Sequence, residues 1–424
     1  MTRVRLPFDR GEIEVELPDE AVVLAPNAAT PLADPMRAVA EAIASPLAGP
    51  PLRERTRPGQ SVAIVISDIT RPVPNQTLLP PLIEALLAAG VREDDITIVN
   101  GTGLHRPNSE AELQEMLGTE IARRFRVVQH EAFRAETLAS VGRSARGVPV
   151  EMCRAYVEAD VRIVTGFVEP HLFAGYSGGA KGIMPGVAGA SIVMSNHGAA
   201  NLAHPRARWC STADNPVFEK MRAVTALCPP DFCLNVTLDP LRAVTGVFAG
   251  DLEAAHDAAI TQAARQYQVE VSAPFDVVVT TNMGYPADTS LYQSVKGMSV
   301  AAEAVREGGA IVLVAGCVEG IGGDAYTRLL TGGESPASLL DAICAAETPR
   351  HDQWQVQCQA MVQAKADVYL HSTLSREATE SAHLRYCPDV AATVRGLVGE
   401  ARAEGRPGSV LVLPAGQLTV PVIR

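Results

Sequence analysis

The residues best suited to catalysis or cofactor binding lie in one short segment, between positions 171 and 197. Glycines let a backbone approach an anion or a cofactor closely, because they lack a Cβ and tolerate positive φ. A lysine beyond such a turn can neutralise a phosphate or form a covalent bond, and a neutral imidazole can ligate a transition metal. The segment therefore indicates a functional site. Its members are His171, Gly175, Gly178, Gly179, Lys181 and His197.

The glycine-rich part of this segment is close to the phosphate loop of nucleotide hydrolases, GxxxxGK[ST]. Residues 175–182 read GYSGGAKG and fail that pattern at two positions. Ala180 stands where the last glycine belongs, and Gly182 replaces the hydroxyl residue that would hold magnesium. We therefore reject a nucleotide hydrolase.

Composition limits the class of protein. The net charge of −12 argues against nucleic acid or an anionic membrane as a partner. The first residues lack the apolar core of a secretory signal, and no apolar run is long enough to cross a membrane. The eight cysteines form no CxxC pair, which predicts reduced, mostly buried thiols. We expect a soluble cytoplasmic protein.

Apolar runs alternate with helical patterns along most of the chain, which is typical of βα units in a parallel sheet. A length of 424 residues favours two domains. We predict an α/β fold with mainly parallel sheets, a first domain over 1–270 and a second over 271–424, with the last residues able to return to the first. The active site is expected in the cleft between them.

The sequence also predicts individual elements. A hairpin is expected over 4–17, and a proline- and alanine-rich connector over 25–58. The predicted strands are 61–67, 95–100, 161–167, 232–238, 275–281, 310–315, 367–371 and 409–414. The predicted helices are 78–89, 109–117, 215–227, 252–267, 295–307, 338–346, 353–364 and 390–404.

Polar motifs follow three of the predicted strands where each strand ends. Asp68–Pro72 follows the first, Gly101–Pro107 follows the second, and Glu169–His171 follows the third. Ligands bind beyond the carboxyl ends of strands in open α/β sheets. The three loops are therefore predicted to deliver acids, bases and glycines to one edge.

Two of these loops carry a histidine, the residue type most often used for acid/base chemistry near neutral pH. His105 and His171 could serve as two bases on opposite faces of one carbon, as stereochemical inversion requires, or equally as metal ligands. The residues alone leave both readings open. Gly101 and Gly103 expose backbone amides suited to a phosphate or a carboxylate.

Charged residues near these loops are candidate ligand contacts. Arg71 and Lys296 are natural partners for a carboxylate, and Asp68 is suited either to a ribose hydroxyl or to capping a helix. The remaining histidines are interpreted as structural, except His204, which is assigned no role. Trp354 is interpreted as a core residue. The structural histidines are His130, His256, His351, His371 and His383.

Five motifs together resemble one known family. In chain order, SDITRPVP, GTGLHRP, EPHLFAGYSGGAKG, SNHG and LYQSVKG are similar to the nickel-pincer-nucleotide-dependent lactate racemases. The resemblance runs from Ser67 to beyond Gly297. It implies a cofactor that is a pyridinium-3,5-bisthiocarboxylic acid mononucleotide, with Ni(II) held by a ring carbon and two sulfurs.

The resemblance also implies roles for single residues. Lys181 would hold the cofactor through a thioamide, and His197 would ligate nickel. His105 and His171 would be the two acid/base groups. The strand-end residues Asp68, Ile69, Thr70, Arg71, Gly101 and Gly103 would contact the cofactor. The substrate contacts would be Arg71, Tyr292, Gln293 and Lys296.

The implied reaction is racemisation or epimerisation of a 2-hydroxy acid by reversible hydride transfer through a 2-keto acid. Loading would need cofactor-synthesis proteins. Lactate-specific members often carry histidine after the aspartate of the first motif, where this chain has Ile69. We therefore expect a small-molecule 2-hydroxy acid substrate without naming one. The oligomeric state is not predicted.

Three other functions were weighed. An NAD-dependent 2-hydroxy acid dehydrogenase would carry GxGxxG after a strand, and no such pattern follows the apolar strands. A non-catalytic nickel-cofactor binding protein would need Lys181 and His197 but not both His105 and His171. A zinc or nickel hydrolase lacks any HExxH-like spacing.

Overall fold

In this computed structural model the described residues are 1–346 and 348–424, and they divide into two compact units. The first unit consists of Ala28–Asn196 and Arg206–Arg265. The second unit consists of Met1–Asn27, His197–Pro205 and Gln266–Arg424. The chain leaves the first unit for the last time after Arg265, and the boundary predicted from the sequence is near residue 270. The sequence did not predict that residues 1–27 and 197–205 would join the second unit.

The strands are given in chain order. They are β1 (Thr2–Phe8), β2 (Gly11–Leu17), β3 (Val22–Val23), β4 (Val62–Ser67), β5 (Ile96–Gly101), β6 (Arg126–Gln129), β7 (Leu138–Arg143), β8 (Pro149–Cys153), β9 (Val161–Phe167), β10 (Pro170–His171), β11 (Gly175–Tyr176), β12 (Phe232–Leu238), β13 (Val244–Gly250), β14 (Gln268–Val271), β15 (Phe275–Thr281), β16 (Val305–Val314), β17 (Ala366–His371), β18 (Arg385–Tyr386), β19 (Val410–Leu413) and β20 (Val420–Ile423).

The α-helices follow in the same order. They are α1 (Pro35–Ala44), α2 (Leu52–Arg55), α3 (Asn75–Ala88), α4 (Glu110–Leu117), α5 (Thr119–Arg124), α6 (Arg154–Val157), α7 (Ala190–Asn196), α8 (Ala199–Leu202), α9 (Pro216–Thr225), α10 (Leu252–Tyr267), α11 (Leu291–Ala301), α12 (Asp324–Thr331), α13 (Pro336–Ala345), α14 (Gln353–Lys365), α15 (Arg376–Ser381) and α16 (Val390–Ala403). Among the described residues, none of these helices is long and apolar enough to cross a bilayer.

The first unit is built on a six-stranded sheet in the order β13–β12–β9–β4–β5–β6. All neighbours are parallel except β13, which runs antiparallel to β12 at the edge. The central strand β4 is buried along almost its whole length, as expected for a parallel strand covered on both faces. Ile64 and Ile66 pack with Leu82 of α3 in one core cluster.

The second unit contains an all-parallel six-stranded sheet in the order β18–β17–β16–β15–β19–β3. The β1–β2 hairpin and α16 pack on it through Leu6, Leu17 and Val394. Strand β14 pairs in parallel with β20. The α/β fold with mainly parallel sheets, predicted from the sequence, is thus confirmed.

Several predicted segments differ in extent from the structure, and two of them have a clear physical reason. The helix expected over 295–307 is α11, which ends at Ala301, because the chain enters strand β16 at Val305. The connector expected over 25–58 contains α1, whose first turn is capped by Asp34 accepting from the Arg37 amide and begins with a proline. The proline- and alanine-rich composition concealed a capped amphipathic helix whose buried residues are Val39 and Ile43.

Candidate active site

Three neighbouring parallel strands of the first unit end at one edge of the sheet. Strand β4 lies between β9 and β5, and Ser67 at its end pairs with Gly101 at the end of β5. Asp68 directly follows β4, His105 lies in the loop after β5, and His171 lies in the loop after β9. The structure therefore brings together the strand ends that the sequence predicted to converge.

Asp68 and His105 form a close hydrogen-bonded pair. Nδ1 of His105 lies 2.7 Å from Oδ2 of Asp68, whose side chain is only 6% exposed, whereas that of His105 is 43% exposed. Burial raises the pKa of Asp68, but the hydrogen bond and charge of His105, the charge of Arg71 and the Thr70 hydroxyl together hold that pKa below its usual value. Asp68 is therefore ionised at neutral pH.

An ionised carboxylate can only accept hydrogen bonds. The hydrogen of this bond therefore belongs to Nδ1 of His105, and whenever the ring is neutral its lone pair lies on Nε2. Pairing with an imidazole was not among the roles predicted for Asp68. The two residues are too far apart in the sequence for a local pattern to reveal it.

The other residues of the first motif support this pair or the core. The Thr70 hydroxyl donates to Oδ1 of Asp68 at 2.7 Å, and Nη1 of Arg71 donates to the Thr70 carbonyl at 3.2 Å. Ile69 is half-buried, and its side chain packs against the core cluster of the first unit. Thr70 and Arg71 therefore lie at the site edge, while part of Ile69 is turned towards the core.

The loop that carries His105 is held by side-chain hydrogen bonds at its far end. Asn108 accepts from Asn100 at 2.8 Å, and its amide donates to Gln129 at 2.6 Å. Arg106 forms a two-bonded ion pair with Glu112, which also closes the capping box of α4. This arginine lowers the pKa of Glu112 to about 2. These bonds fix the backbone on the C-terminal side of His105.

His171 lies on the two-residue strand β10, which pairs with β11. Nδ1 of the half-buried ring accepts from the Ala174 amide at 3.3 Å, and the ring meets Phe173 edge-on with centroids 4.7 Å apart. A neutral imidazole that accepts at Nδ1 carries its proton on Nε2. His171 is therefore held in the opposite tautomer to His105.

Lys181 is half-buried in a 3₁₀ turn over Gly179–Gly182. The preceding glycines have positive φ, as expected, but protein atoms occupy the space where side chains would lie. A Cβ on Gly178 would lie 2.6 Å from Val168, and one on Gly179 would lie 2.2 Å from Nδ1 of His256. Packing against neighbouring side chains therefore requires glycine at both positions, a reason that adds to the predicted close approach of an anion or a cofactor.

The turn of Lys181 is connected to the loop of His105 through the backbone. The Gly186 amide donates to the Lys181 carbonyl at 3.3 Å, and the Gly103 amide donates to the Gly186 carbonyl at 2.9 Å. The Gly103 amide is therefore committed inside the protein, contrary to the expectation that it would bind an anion. A Cβ on Gly101 would lie 3.2 Å from the same Gly186 carbonyl, so close packing also explains this glycine.

Two histidines that the sequence assigned to structure lie beside the Lys181 segment, residues 177–188. Nε2 of His256 lies 2.9 Å from the Ser177 carbonyl, and Nε2 of His130 lies 2.9 Å from the Ala188 carbonyl. Burial lowers the pKa of each ring to about 4. Both contacts join residues that are far apart in the sequence. A search for partners nearby along the chain therefore could not reveal them.

The second unit contains His197, which is buried and packs on Trp354, with ring centroids 5.4 Å apart. Trp354 also meets the ring of His351 edge-on at 5.5 Å. Trp354 was predicted to be a core residue, and it is buried as expected, but its contacts are with two imidazoles. The His197 ring is tilted by 40° relative to the indole, so Trp354 packs beside it without stacking on it.

The predicted substrate residues of the second unit share helix α11, whose first turn is capped by Ser290. Tyr292, Gln293 and Lys296 are half-buried, and Nζ of Lys296 donates to Oε1 of Gln293 at 3.3 Å. The Tyr292 hydroxyl donates to Oδ1 of Asp352 at 3.2 Å. Within residues 1–346 and 348–424, no three or more His, Cys, Asp and Glu side chains are grouped to hold a metal ion.

Comparison with known proteins places this architecture among relatives. The lactate racemase N-terminal domain matches residues 8–210, and the lactate racemase C-terminal domain matches residues 270–422. The lactate racemase of Lactiplantibacillus plantarum is 32% identical over 98% of this chain and 99% of its own length. That of Thermoanaerobacterium thermosaccharolyticum is 29% identical over 95% of this chain and 93% of its own length.

A solved structure gives the same result for the fold. The lactate racemase apoprotein from Thermoanaerobacterium thermosaccharolyticum superposes with a TM-score of 0.91 at 27% sequence identity. The match covers 99% of this chain and 100% of that chain.

The contact between Gly179 and His256 predicts a large cost for a small substitution. Gly179→Ala combines a positive φ of 50° with a Cβ inside the contact distance of the imidazole, so we expect the free energy of unfolding to fall by about 3 kcal/mol. Gly147→Ala is the control, because φ is 76° and nothing lies within 4 Å of its Cβ, which leaves a cost of about 1 kcal/mol. The measurement is urea denaturation of both variants. An equal loss of unfolding free energy in Gly179→Ala and Gly147→Ala would contradict the contact between Gly179 and His256.

The two buried imidazoles predict acid sensitivity of the first unit. Their folded pKa of about 4 lies below the value near 6.5 of an unfolded chain, so the unfolded state binds more protons in this interval. Glu131 beside His130, and Arg222 and Asp257 beside His256, change the pKa less than burial does. The free energy of unfolding should therefore decline as the pH falls from about 6.5 towards 4.

The measurement is urea denaturation at pH 7 and pH 5 for the wild type and the double variant His130→Gln, His256→Gln. Neither glutamine titrates, so the variant should lose less stability between the two pH values. The same decline in both proteins would contradict this origin of the acid sensitivity.

Proposed function

Because the chain belongs to the lactate racemase family, we propose that it interconverts the two configurations at C2 of a 2-hydroxy acid. Its relatives are named lactate racemases, and the chain is therefore an isomerase. The observation that best supports this proposal is the hydrogen bond between ionised Asp68 and Nδ1 of His105, beside the loops of His171 and Lys181. Inversion needs acid/base groups on both sides of the reacting carbon, and these loops supply two imidazoles.

His105 is proposed as the base for one enantiomer. Asp68 holds the Nδ1 proton, so Nε2 presents a lone pair to the hydroxyl of the substrate. When Nε2 takes that proton, the imidazolium is stabilised by the adjacent carboxylate. The carboxylate does not need to accept the proton, because its pKa lies below the usual value of an aspartate. Asp68 therefore acts on the substrate through His105.

His171 is proposed as the acid/base group for the other face. The Ala174 amide donates to Nδ1, so the neutral ring holds its proton on Nε2 and can donate a hydrogen bond from it to the oxygen on C2 of the substrate. The two neutral histidines thus differ at Nε2, with a lone pair on His105 and a proton on His171. Full proton transfer from His171 requires the ring to be protonated at both nitrogens.

We propose that Lys181 carries the nickel pincer nucleotide and that His197 ligates its nickel. The chemistry of the donor set fits this group. Lys181 has a primary amine suited to a thioamide bond, and imidazole suits Ni(II) alongside sulfur and carbon donors. Thr70 and Arg71, at the end of β4, offer a hydroxyl and a guanidinium for the polar nucleotide. When bound, this group would supply a reversible acceptor for the hydride on C2. Loading would depend on cofactor-synthesis proteins.

The substrate carboxylate is proposed to bind two cationic residues, Arg71 and Lys296. Arg71 offers a two-pronged hydrogen-bonding group, and Lys296 offers a compact charge whose position is restrained by Gln293. Tyr292 would contact the side chain of the substrate. Asp352 restrains the Tyr292 hydroxyl, so this wall is preorganised. The proposal covers the class of 2-hydroxy acids and does not choose lactate among them.

The test uses protein produced together with a cofactor-synthesis pathway. Intact mass and nickel content are measured first, and chiral chromatography then follows single enantiomers from a panel of 2-hydroxy acids. We expect a covalent adduct, bound nickel and racemisation without added NAD. Turnover that requires NAD would contradict the proposal, as would bound nickel without racemisation of any panel member.

Single-histidine variants test the two acid/base roles. His105→Ala and His171→Ala should each lower kcat by about a thousandfold while nickel content stays at the wild-type level, because neither residue is a proposed ligand. His383→Ala is the control, since this histidine lies in the second unit and is assigned no role. Wild-type racemisation by either His105→Ala or His171→Ala would refute that assignment.

A further inference from the structure

Two buried histidines hold opposite ends of the Lys181 segment. His256 projects from α10 and bonds the carbonyl of Ser177, the first residue of the segment. His130 follows β6 and bonds the carbonyl of Ala188, the last residue. A backbone carbonyl only accepts hydrogen bonds, so each imidazole donates from Nε2. Neither ring takes part in the reaction described above.

The contact of His256 also reaches the loop of His171. The Ser177 amide donates to the Glu169 carbonyl, and its hydroxyl accepts from the Glu169 amide, each at 2.9 Å. Glu169 lies two residues before His171 in the chain. The ring of His256 lies directly against Gly179, at the start of the turn that carries Lys181. His256 therefore joins the entry of the Lys181 segment to one acid/base loop.

The contact of His130 reaches the loop of His105 in the same way. The His130 amide donates to the Asn100 carbonyl at 3.0 Å, and its carbonyl accepts from the Thr102 hydroxyl at 2.6 Å. Two residues before Ala188, the Gly186 carbonyl accepts from the Gly103 amide. His130 therefore joins the exit of the Lys181 segment to the other acid/base loop.

Both imidazoles must be neutral for this arrangement. Each Nδ1 is buried and has no hydrogen-bond partner among residues 1–346 and 348–424, so that position has a lone pair and no acceptor for a second proton. Burial lowers both pKa values to about 4, which keeps the rings neutral at physiological pH. Leaving a buried nitrogen unsatisfied costs stability. The same arrangement nonetheless occurs at both ends of one segment.

We propose that His130 and His256 are positioning residues that fix the Lys181 segment between the loops of His105 and His171. Small displacements of reacting groups cost large factors in rate, so a cofactor-bearing lysine needs such restraint. The consequence of this restraint for catalysis rests on the proposed function, in which Lys181 carries the cofactor. The restraint itself is a property of the cofactor-free chain and is measured there.

The experiment is amide hydrogen exchange on the cofactor-free protein. His256→Leu removes the donor to Ser177, so the Ser177 and Lys181 amides should exchange about tenfold faster or more. His130→Leu should do the same for the Gly186 and Gly103 amides. Strands β4 and β9 should keep their wild-type rates. Glutamine can place an amide donor near the position of Nε2, so His256→Gln and His130→Gln should restore slow exchange.

Controls separate positioning from general stability. His383→Leu removes another contact between a histidine and a carbonyl, to Leu330 in the second unit, and should leave the Lys181 segment unchanged. If a leucine variant fails to fold, His256→Asn or His130→Asn replaces it, because the asparagine amide is too short to reach the same carbonyl. Uniform acceleration across the first unit, or no acceleration in residues 177–188, would overturn the proposal.

Loaded protein provides a second readout. The leucine variants should show a lower kcat per bound nickel with a nearly unchanged KM, and the glutamine variants should recover it. A change confined to KM would contradict positioning of the Lys181 segment. Failure of the cofactor proposal would appear separately, as wild-type protein without an adduct, and the exchange result would stand regardless.

Discussion

The hydrogen bond between the Asp68 carboxylate and Nδ1 of His105 is the interaction on which the site depends. Asp68 is buried at the end of the central strand β4, and an isolated charge would be costly there. The imidazole, the Thr70 hydroxyl and the charge of Arg71 compensate, and the carboxyl remains ionised. Its ionisation in turn determines which nitrogen of His105 carries the proton. The burial and charge of Asp68 and the tautomer of His105 therefore depend on one another.

The remaining restraints on the site are backbone hydrogen bonds. Adjacent parallel strands bring the loops of His105 and His171 to one edge, and the Lys181 segment bonds to both loops through Gly186 and Ser177. Close packing explains the density of glycine here, because side chains lie where a Cβ of Gly178 or Gly179 would be and backbone lies where that of Gly101 would be. Neutral buried imidazoles suit such junctions because they donate to carbonyls without introducing a charge.

The sequence predicted much of this structure because its strongest signals were local. Apolar runs gave the positions of β4, β9 and β15, and the helical pattern of α10 matched its observed bounds of Leu252–Tyr267. Local signals failed where composition and structure diverge. The alanines and prolines before residue 58 concealed α1, and α11 was extended into the start of β16.

Contacts between distant residues were beyond a reading of local patterns. Asp68 and His105 belong to different loops, and Ser177 and His256 meet across the first unit. The motif order predicted that Asp68, His105 and His171 follow three strand ends, where the structure has them, but it gave neither the hydrogen bonds of His105 and His171 nor the contacts of the buried His130 and His256. The assignment of residues 197–205 to the second unit likewise depends on tertiary contacts.

The most direct test is ¹⁵N NMR of imidazole-labelled protein, with His105 assigned by comparison with a His105→Gln variant. A proton on Nδ1 and a bare Nε2 at pH 7 would agree with an ionised Asp68 that accepts from this ring. The same spectrum of Asp68→Asn should show that this tautomer preference is lost. A wild-type His105 with its proton on Nε2 would contradict the account, because the ring could not then take a proton from the substrate at that atom.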